Sequence, residues 1–228
     1  MTQGNILVTG ANRGIGLALV AQLKAAGWHV IATCRNPDAA EDLKSLGVPV
    51  LALDVTDEHS VARAAAQVGE LDVLVNNAAI FPEEGNETLD EMKLEWFREA
   101  FETNVLGVVR VTRAFLPLLR KGRHPRVVNI SSGAGSIADK DDHAYYAYST
   151  SKAALNMLTR AMAAEYKPLG VCVVALSPGW VQTDMGGPHA PLLPAESATA
   201  IATTIQRLSL EHTSRFIDRN GRDTEYSW

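Results

Sequence analysis

The sequence predicts a doubly wound α/β fold: one parallel sheet with helices on both faces. Three observations predict it. Short apolar, strand-like runs alternate with helix-like runs along the whole chain. The first of these runs passes directly into a glycine-rich turn and then a helix, the context that gives such a glycine cluster meaning. The chain has 228 residues, 46% of them hydrophobic, enough for one large core, and no repeat, linker or low-complexity stretch divides it.

Composition excludes several functions. The formal net charge is -5 and the basic residues are dispersed, so neither nucleic-acid binding nor a polybasic membrane patch is expected. Cys34 and Cys172 lie in apolar runs without metal-ligand spacing and read as buried free thiols of a reducing cytosol. No metal site is expected. The N-terminus enters Ile6-Leu7-Val8 almost at once, without the charged region and apolar block of a signal peptide. No apolar run is long enough to span a bilayer. A soluble, cytoplasmic protein with no nucleic-acid or membrane partner is the expectation.

In chain order, residues 5–9 form the first strand, the turn Gly10-Ala11-Asn12-Arg13-Gly14-Ile15-Gly16 follows, and residues 17–26 form a helix. Glycines let backbone approach a diphosphate closely, and the helix N-terminus adds free N–H groups and a positive dipole end. Residues 28–34 form the second strand. In a dinucleotide fold its end meets the adenosine ribose, where a carboxylate reads a 2′-OH and an arginine accommodates a 2′-phosphate. Residues 28–37 hold no Asp or Glu but do hold Arg35, and Arg13 in the turn is a second phosphate candidate. The balance favours NADP(H) over NAD(H).

A short helix over 38–46 precedes a third strand over 48–53 that ends in Asp54-Val55. Asp54 is positioned to accept from an adenine amino group, or to cap the helix near Glu58 in competition with Thr56 and Asp57. The fourth strand, 71–75, runs into Asn76-Asn77-Ala78-Ala79, small residues with asparagines that fix neighbouring backbone. A polar loop from Phe81 to Asn86 leads to a helix over 89–101, and a second long helix runs over 104–119 with Asn104 near its start. Residues 126–130 form the fifth strand, followed by Ser131-Ser132-Gly133 at its ligand-facing end.

After a charged loop the helix opens on Tyr145-Tyr146-Ala147-Tyr148-Ser149-Thr150-Ser151-Lys152. Residues i and i+4 share a helix face, and of the three tyrosines only Tyr148 has a lysine there. An ammonium beside a phenol favours the phenolate, which suits Tyr148 to proton transfer. The sixth strand, 171–176, ends in Ser177-Pro178-Gly179, and residues up to about Leu193 are of weak periodicity and read as a lid. A helix over 194–210, a last strand over 215–218 and a polar tail over 219–227 complete the chain.

Thr9-Gly10-x-x-x-Gly14-Ile15-Gly16, Asn76-Asn77-Ala78-Ala79, Asn104, Ser132, Tyr148-x-x-x-Lys152 and Pro178-Gly179, in this order, resemble the short-chain dehydrogenase/reductase family over nearly the whole chain. Within it, Arg35 and the run Pro178-Gly179-Trp180-Val181-x-Thr183-Asp184-Met185-Gly186-Gly187 resemble the sniffer-type carbonyl reductases and C-factor (C-signal) proteins. The resemblance implies a Rossmann-type sheet of seven parallel strands and NAD(P)-dependent interconversion of a carbonyl and an alcohol. It implies that Tyr148 is general acid/base, that Lys152 lowers its pKa and binds the nicotinamide ribose, that Ser132 holds the substrate oxygen, and that Asn104 holds a relay water. Ser131 is the alternative serine. Implied cofactor contacts are Gly10, Asn12, Arg13, Gly14, Ile15, Gly16, Arg35, Asp54, Val55, Asn77, Ala78, Tyr148, Lys152, Pro178, Val181 and Thr183. Homodimers or homotetramers are expected from the family, and a C-factor-like signalling role is the rival reading. Two departures stand out: Ala79 replaces a usual glycine, and Ser132 and Tyr148 are spaced more widely than in most members. The extra residues fall at 139–143, beside the expected entrance. Phe81, Tyr146, Trp180 and Met185 suggest an apolar or aromatic carbonyl substrate.

Overall fold

The computed structural model describes residues 3–85, 87–223 and 228. Asn86 and residues 224–227 of the expected loop and tail lie outside the described residues. Seven strands form one sheet in the order β3-β2-β1-β4-β5-β6-β7. They are β1 (Asn5–Val8), β2 (His29–Cys34), β3 (Val50–Ala52), β4 (Val73–Asn76), β5 (Arg126–Ile130), β6 (Cys172–Ser177) and β7 (Phe216–Asp218). Every neighbouring pair is parallel. The helices are α1 (Gly14–Ala25), α2 (Glu41–Ser45), α3 (Glu58–Ala65), α4 (Leu94–Phe101), α5 (Gly107–Leu119), α6 (Tyr146–Tyr166) and α7 (Pro194–Arg207). Among the described residues no helix is long and apolar enough to cross a membrane.

The strands read as unbroken apolar runs because both faces of the sheet are covered. Successive side chains point to opposite faces. Ile6, Val8, Val73, Val75, Val128, Val174 and Leu176 therefore pack with Leu19, Val20 and Leu23 of α1 and Ile201 and Ile205 of α7. Leu7, Leu74, Val127 and Val173 point the other way, onto Val111, Phe115 and Leu119 of α5 and Leu155 and Met162 of α6.

Beneath that second layer lies a buried polar chain. Asn76 and Asn129 face each other in the β4–β5 register. The Asn76 amide donates to Asn129 Oδ1 at 2.8 Å and to Thr112 of α5 at 3.1 Å, and the Asn129 amide donates to Thr159 of α6 at 2.9 Å. Buried amides persist when their polar atoms are paired, and here the pairing ties both helices to the sheet centre.

Several elements differ from the sequence expectation; the helix expected over 89–101 begins only at Leu94, and the one expected over 194–210 ends at Arg207. The stretch expected as two helices separated near Asn104 is continuous: α4 passes through a π-helical segment, Glu102–Leu106, into α5. Asn104 is inside that segment and fully buried rather than at a helix start. The competition near Glu58 goes to Asp57, which accepts from the His59 amide at 2.8 Å, while Asp54 accepts from the Thr56 amide and hydroxyl. The helix over 38–46 is split by Ala40 into a 3-10 turn, Pro37–Ala39, and α2. The residues after β6 are anchored: Val181 bridges Leu192, Gln182 bonds the carbonyls of Leu192 and Ala190, and the Trp180 indole donates to Gly186.

Asn129→Ala would leave the Asn76 amide and Thr159 short of partners. A cost of about 1–3 kcal/mol is expected, seen in urea unfolding as a lower midpoint with an unchanged slope.

Candidate active site

The site forms where the strand order reverses, between β1 and β4, at the carboxyl ends of the strands. Thr9, at the end of β1, accepts through Oγ1 from the amides of Asn77 and Ala78, both at 3.0 Å. Asn77 returns two bonds from its side-chain amide, to the carbonyls of Thr9 at 2.8 Å and Gly10 at 3.0 Å. The glycine turn is thereby stitched to the end of β4. A Cβ on Gly10, whose φ is +61°, would meet the Ala78 backbone at 2.8 Å. One on Gly16 would meet the Gly10 carbonyl oxygen at 2.6 Å. At the N-terminus of α1 no side chain caps the helix and no acidic residue lies in the first turn. Its free N–H groups and positive dipole end therefore face the cavity as an anion cradle.

That cavity, of about 460 Å³, runs from Arg35, Asn36 and Asp54 past the glycine turn to Tyr148 and Lys152. It is lined by Gly10, Asn12, Arg13, Gly14, Ile15, Gly16, Val55, Asn77, Ala78, Pro178 and Thr183 as well. Of the expected cofactor contacts only Val181 does not line it; Val181 is buried in the bridge to Leu192. Arg35 is exposed and has no ion partner among the described residues. Arg13 is differently placed: it reaches across the mouth to Asp184 at 3.1 Å, an exposed pair. Ala79 does not have a positive φ, so its methyl group carries no left-handed backbone strain.

At the far end α6 presents Tyr148 and Lys152 on one face. Lys152 is 2% exposed, and its Nζ donates to the Ile130 carbonyl at 2.9 Å, 5.6 Å from the centre of the Tyr148 ring. Burial pulls its pKa down to about 8. The expected lowering of the tyrosine pKa is not present in the protein alone. Burial pushes Tyr148 up to about 12, and a hydrogen bond with Ser132 opposes that rise. The lysine charge is directed at a backbone carbonyl, and desolvation dominates at the phenol. The two serines diverge: Ser131 is buried, lines the cavity and donates to Asn156 at 2.6 Å, while Ser132 does not line it but turns to Tyr148 and accepts from the Ala134 amide at 3.2 Å. The Asn104 side chain is fully engaged. It accepts from the Ile80 amide at 2.9 Å and donates to the Ile80 carbonyl and to Ser151 Oγ, both at 3.0 Å. It fixes the loop after β4 against α6 and does not line the cavity.

Sequence reading missed Cys34, Asp184 and Glu83. Cys34 and Asp184 line the cavity, and both adjoin residues that motif reading had singled out. Glu83 is 4% exposed, and its carboxylate accepts from the amides of Ala147 and Tyr148. One signal pointed toward it: α6 opens on Tyr-Ala-Tyr, with no side chain of its own suited to cap it.

Comparison with known proteins agrees with this geometry. A family model described as short chain dehydrogenase matches residues 4–191. The chain belongs to the short-chain dehydrogenase family. Within the family it sits with the sniffer and C-signal group. C-signal of Myxococcus xanthus is 43% identical over 160 residues, 70% of this chain and 94% of that protein. The carbonyl reductase Sniffer of D. melanogaster superposes with a TM-score of 0.93 at 32% identity, covering 100% of both chains. An NADPH-bound carbonyl reductase from chicken fatty liver gives a TM-score of 0.90 at 36% identity over 98% of each chain. Like the other short-chain dehydrogenases, the protein is an oxidoreductase.

Lys152, depressed from 10.5 to about 8, makes stability pH-dependent. Between these values the unfolded chain holds the proton that the folded one has released. The lysine's contribution therefore rises with pH through that window and is lost as pH falls through the folded value. Relative to Lys152→Met, the wild type should gain on the order of 3 kcal/mol from pH 8 to 10.5, measured by denaturant unfolding at each pH.

Proposed function

We propose that this protein uses NADP(H) to reduce an aldehyde, ketone or quinone to the alcohol, or to run the reverse reaction. One observation carries the reading: a single cavity joins Arg35 and the glycine turn to Tyr148 and Lys152. The residues present fit a dinucleotide phosphate. The turn is a cradle that a Cβ would fill, and Arg35 stands where a carboxylate would otherwise read a 2′-OH. The cofactor, when bound, supplies the hydride.

The chain's own residues handle the oxygen and the proton. Ser132 donates toward the substrate oxygen as negative charge develops there. Tyr148, held at about 12 by burial, keeps its proton at neutral pH and gives it to that oxygen. Lys152, at about 8, remains largely cationic there and supplies positive charge beneath the phenol. Only one of its three N–H bonds is used among the described residues, so the others are available toward the cavity. Phe81 packs edge-on against Tyr145 and Tyr148 at 5.4 and 5.3 Å between ring centres. With the exposed Trp180 and Met185, these rings support an apolar or aromatic substrate.

The likeness to C-signal supports a second reading, a signalling protein that binds NADP(H) with little turnover. NADPH consumption with a panel of aldehydes, ketones and quinones separates the two: no turnover with any of them would favour signalling. Tyr148→Phe should lower turnover by about 10²–10⁴-fold while NADPH still binds, and a variant of undiminished activity would refute the acid role. Arg35→Asp should raise KM for NADPH by about tenfold or more, through loss of a charge-assisted bond, with little change for NADH. An unaltered ratio of the two would remove Arg35 from the assignment.

A further inference from the structure

We infer that Glu83 is a positioning residue for Tyr148: its buried carboxylate caps α6 and sets the place of the tyrosine in the cavity. This rests on the reading of Tyr148 as the acid.

An α-helix leaves its first N–H groups without intrahelical partners. They are usually met by a Ser, Thr, Asp or Asn at the N-cap. In α6 that position is Tyr145, which makes no side-chain cap and sits in the left-handed region at φ 62° and ψ 48°. Non-glycine residues adopt that region at a cost and persist there when their surroundings hold them. The surroundings here are the loop after β4. Glu83 accepts from the Ala147 amide at 2.8 Å and from the Tyr148 amide at 3.1 Å, using both oxygens. Phe81 of the same loop packs against Tyr145 and Tyr148. A Cβ on Gly85 would meet the Tyr145 ring at 3.1 Å, so the loop lies flat on that ring. Glu87 closes the loop on itself by accepting from the amides of Glu84 at 2.7 Å and Gly85 at 2.9 Å.

The carboxylate therefore acts on the backbone of the residue whose hydroxyl meets Ser132. Burying a charge among apolar rings is unfavourable, and desolvation does push the Glu83 carboxyl upward. A polar residue used for stability alone would more simply be a serine or aspartate at position 145. A two-oxygen acceptor reaching in from the loop does something a local cap does not. It couples the angle of the first turn of α6 to the wall of the site. Small misplacements of a reacting group cost turnover steeply, about 10²-fold for 1 Å.

Glu83→Gln keeps the shape but leaves one acceptor and turns an amide N–H₂ toward a backbone N–H. Glu83→Ala removes both acceptors. Three quantities are read for each variant, for the wild type and for Tyr148→Phe: kcat at saturating NADPH with the best carbonyl of the panel, Kd for NADPH by fluorescence titration, and the melting temperature. The expected result for Glu83→Gln is a kcat lowered at least tenfold, a Kd within twofold of wild type and a melting temperature within a few degrees. Glu83→Ala should lower kcat further. A Glu83→Gln protein with kcat within twofold of wild type would overturn the inference. So would parallel loss of kcat, NADPH binding and folded protein in both variants, which is the signature of a purely structural residue. The two readings fail separately. An active Tyr148→Phe protein refutes the acid role and the inference with it, whereas an inactive Tyr148→Phe beside a fully active Glu83→Gln refutes the inference alone.

Discussion

The geometry of the protein depends on one constraint: all seven strands run parallel, so every strand delivers its C-terminal residue to the same edge of the sheet. Six separate segments meet there. The glycine turn follows β1, Arg35 follows β2, Asp54 follows β3, Asn77 and Ala78 follow β4, Ser132 follows β5, and Pro178 to Thr183 follow β6. Because β2 and β4 lie on opposite sides of β1, the connections leave in opposite directions and a crevice opens between them. The bonds between Thr9 and Asn77 hold its two walls together.

The seventh contribution comes from a helix. The start of α6 lies over the crevice, and its stability and its chemistry draw on the same groups. Lys152 is buried with one backbone partner, and that burial shifts its proton affinity. The tyrosine one turn earlier is enclosed enough that its phenol is held protonated. Deeper in the same layer, Asn129 ties α6 to the sheet through Thr159, and Asn104 ties it to the loop after β4 through Ser151. Buried polar groups that are fully paired in this way resist small shifts, because any movement would leave a donor or acceptor unmet. The π-helical segment at Glu102–Leu106 belongs to this arrangement. It places Asn104 against the Ile80 backbone and Ser151 at once, without interrupting the helix.

Much of this was legible in the sequence. The apolar runs marked the strands, because strands covered on both faces carry little but apolar residues. The glycine turn was legible because strand, turn and helix come consecutively in the chain. Tyr148 was separable from Tyr145 and Tyr146 because helical spacing reaches a lysine from only one of them. Less was legible wherever a residue's partner lies far away in the chain. Asn104 read as lying near a helix start, where asparagine is a favoured cap; the structure buries it mid-helix, bonded to the Ile80 backbone. Arg13 read as a second phosphate candidate; it does line the cavity, and its exposed pairing with Asp184 across the mouth was not visible in the sequence.

By itself the sequence determined the alternation of strands and helices, the position of the glycine turn and the tyrosine–lysine face. All of these are set by short-range spacing, and short-range spacing is what a chain displays. Only the tertiary structure decided the direction of the tyrosine's pKa, the division of labour between Ser131 and Ser132, and the capping of α6 by Glu83. Desolvation depends on everything that surrounds a group, whatever its place in the chain. A hydrogen bond between residues 65 positions apart leaves no periodic trace in the sequence.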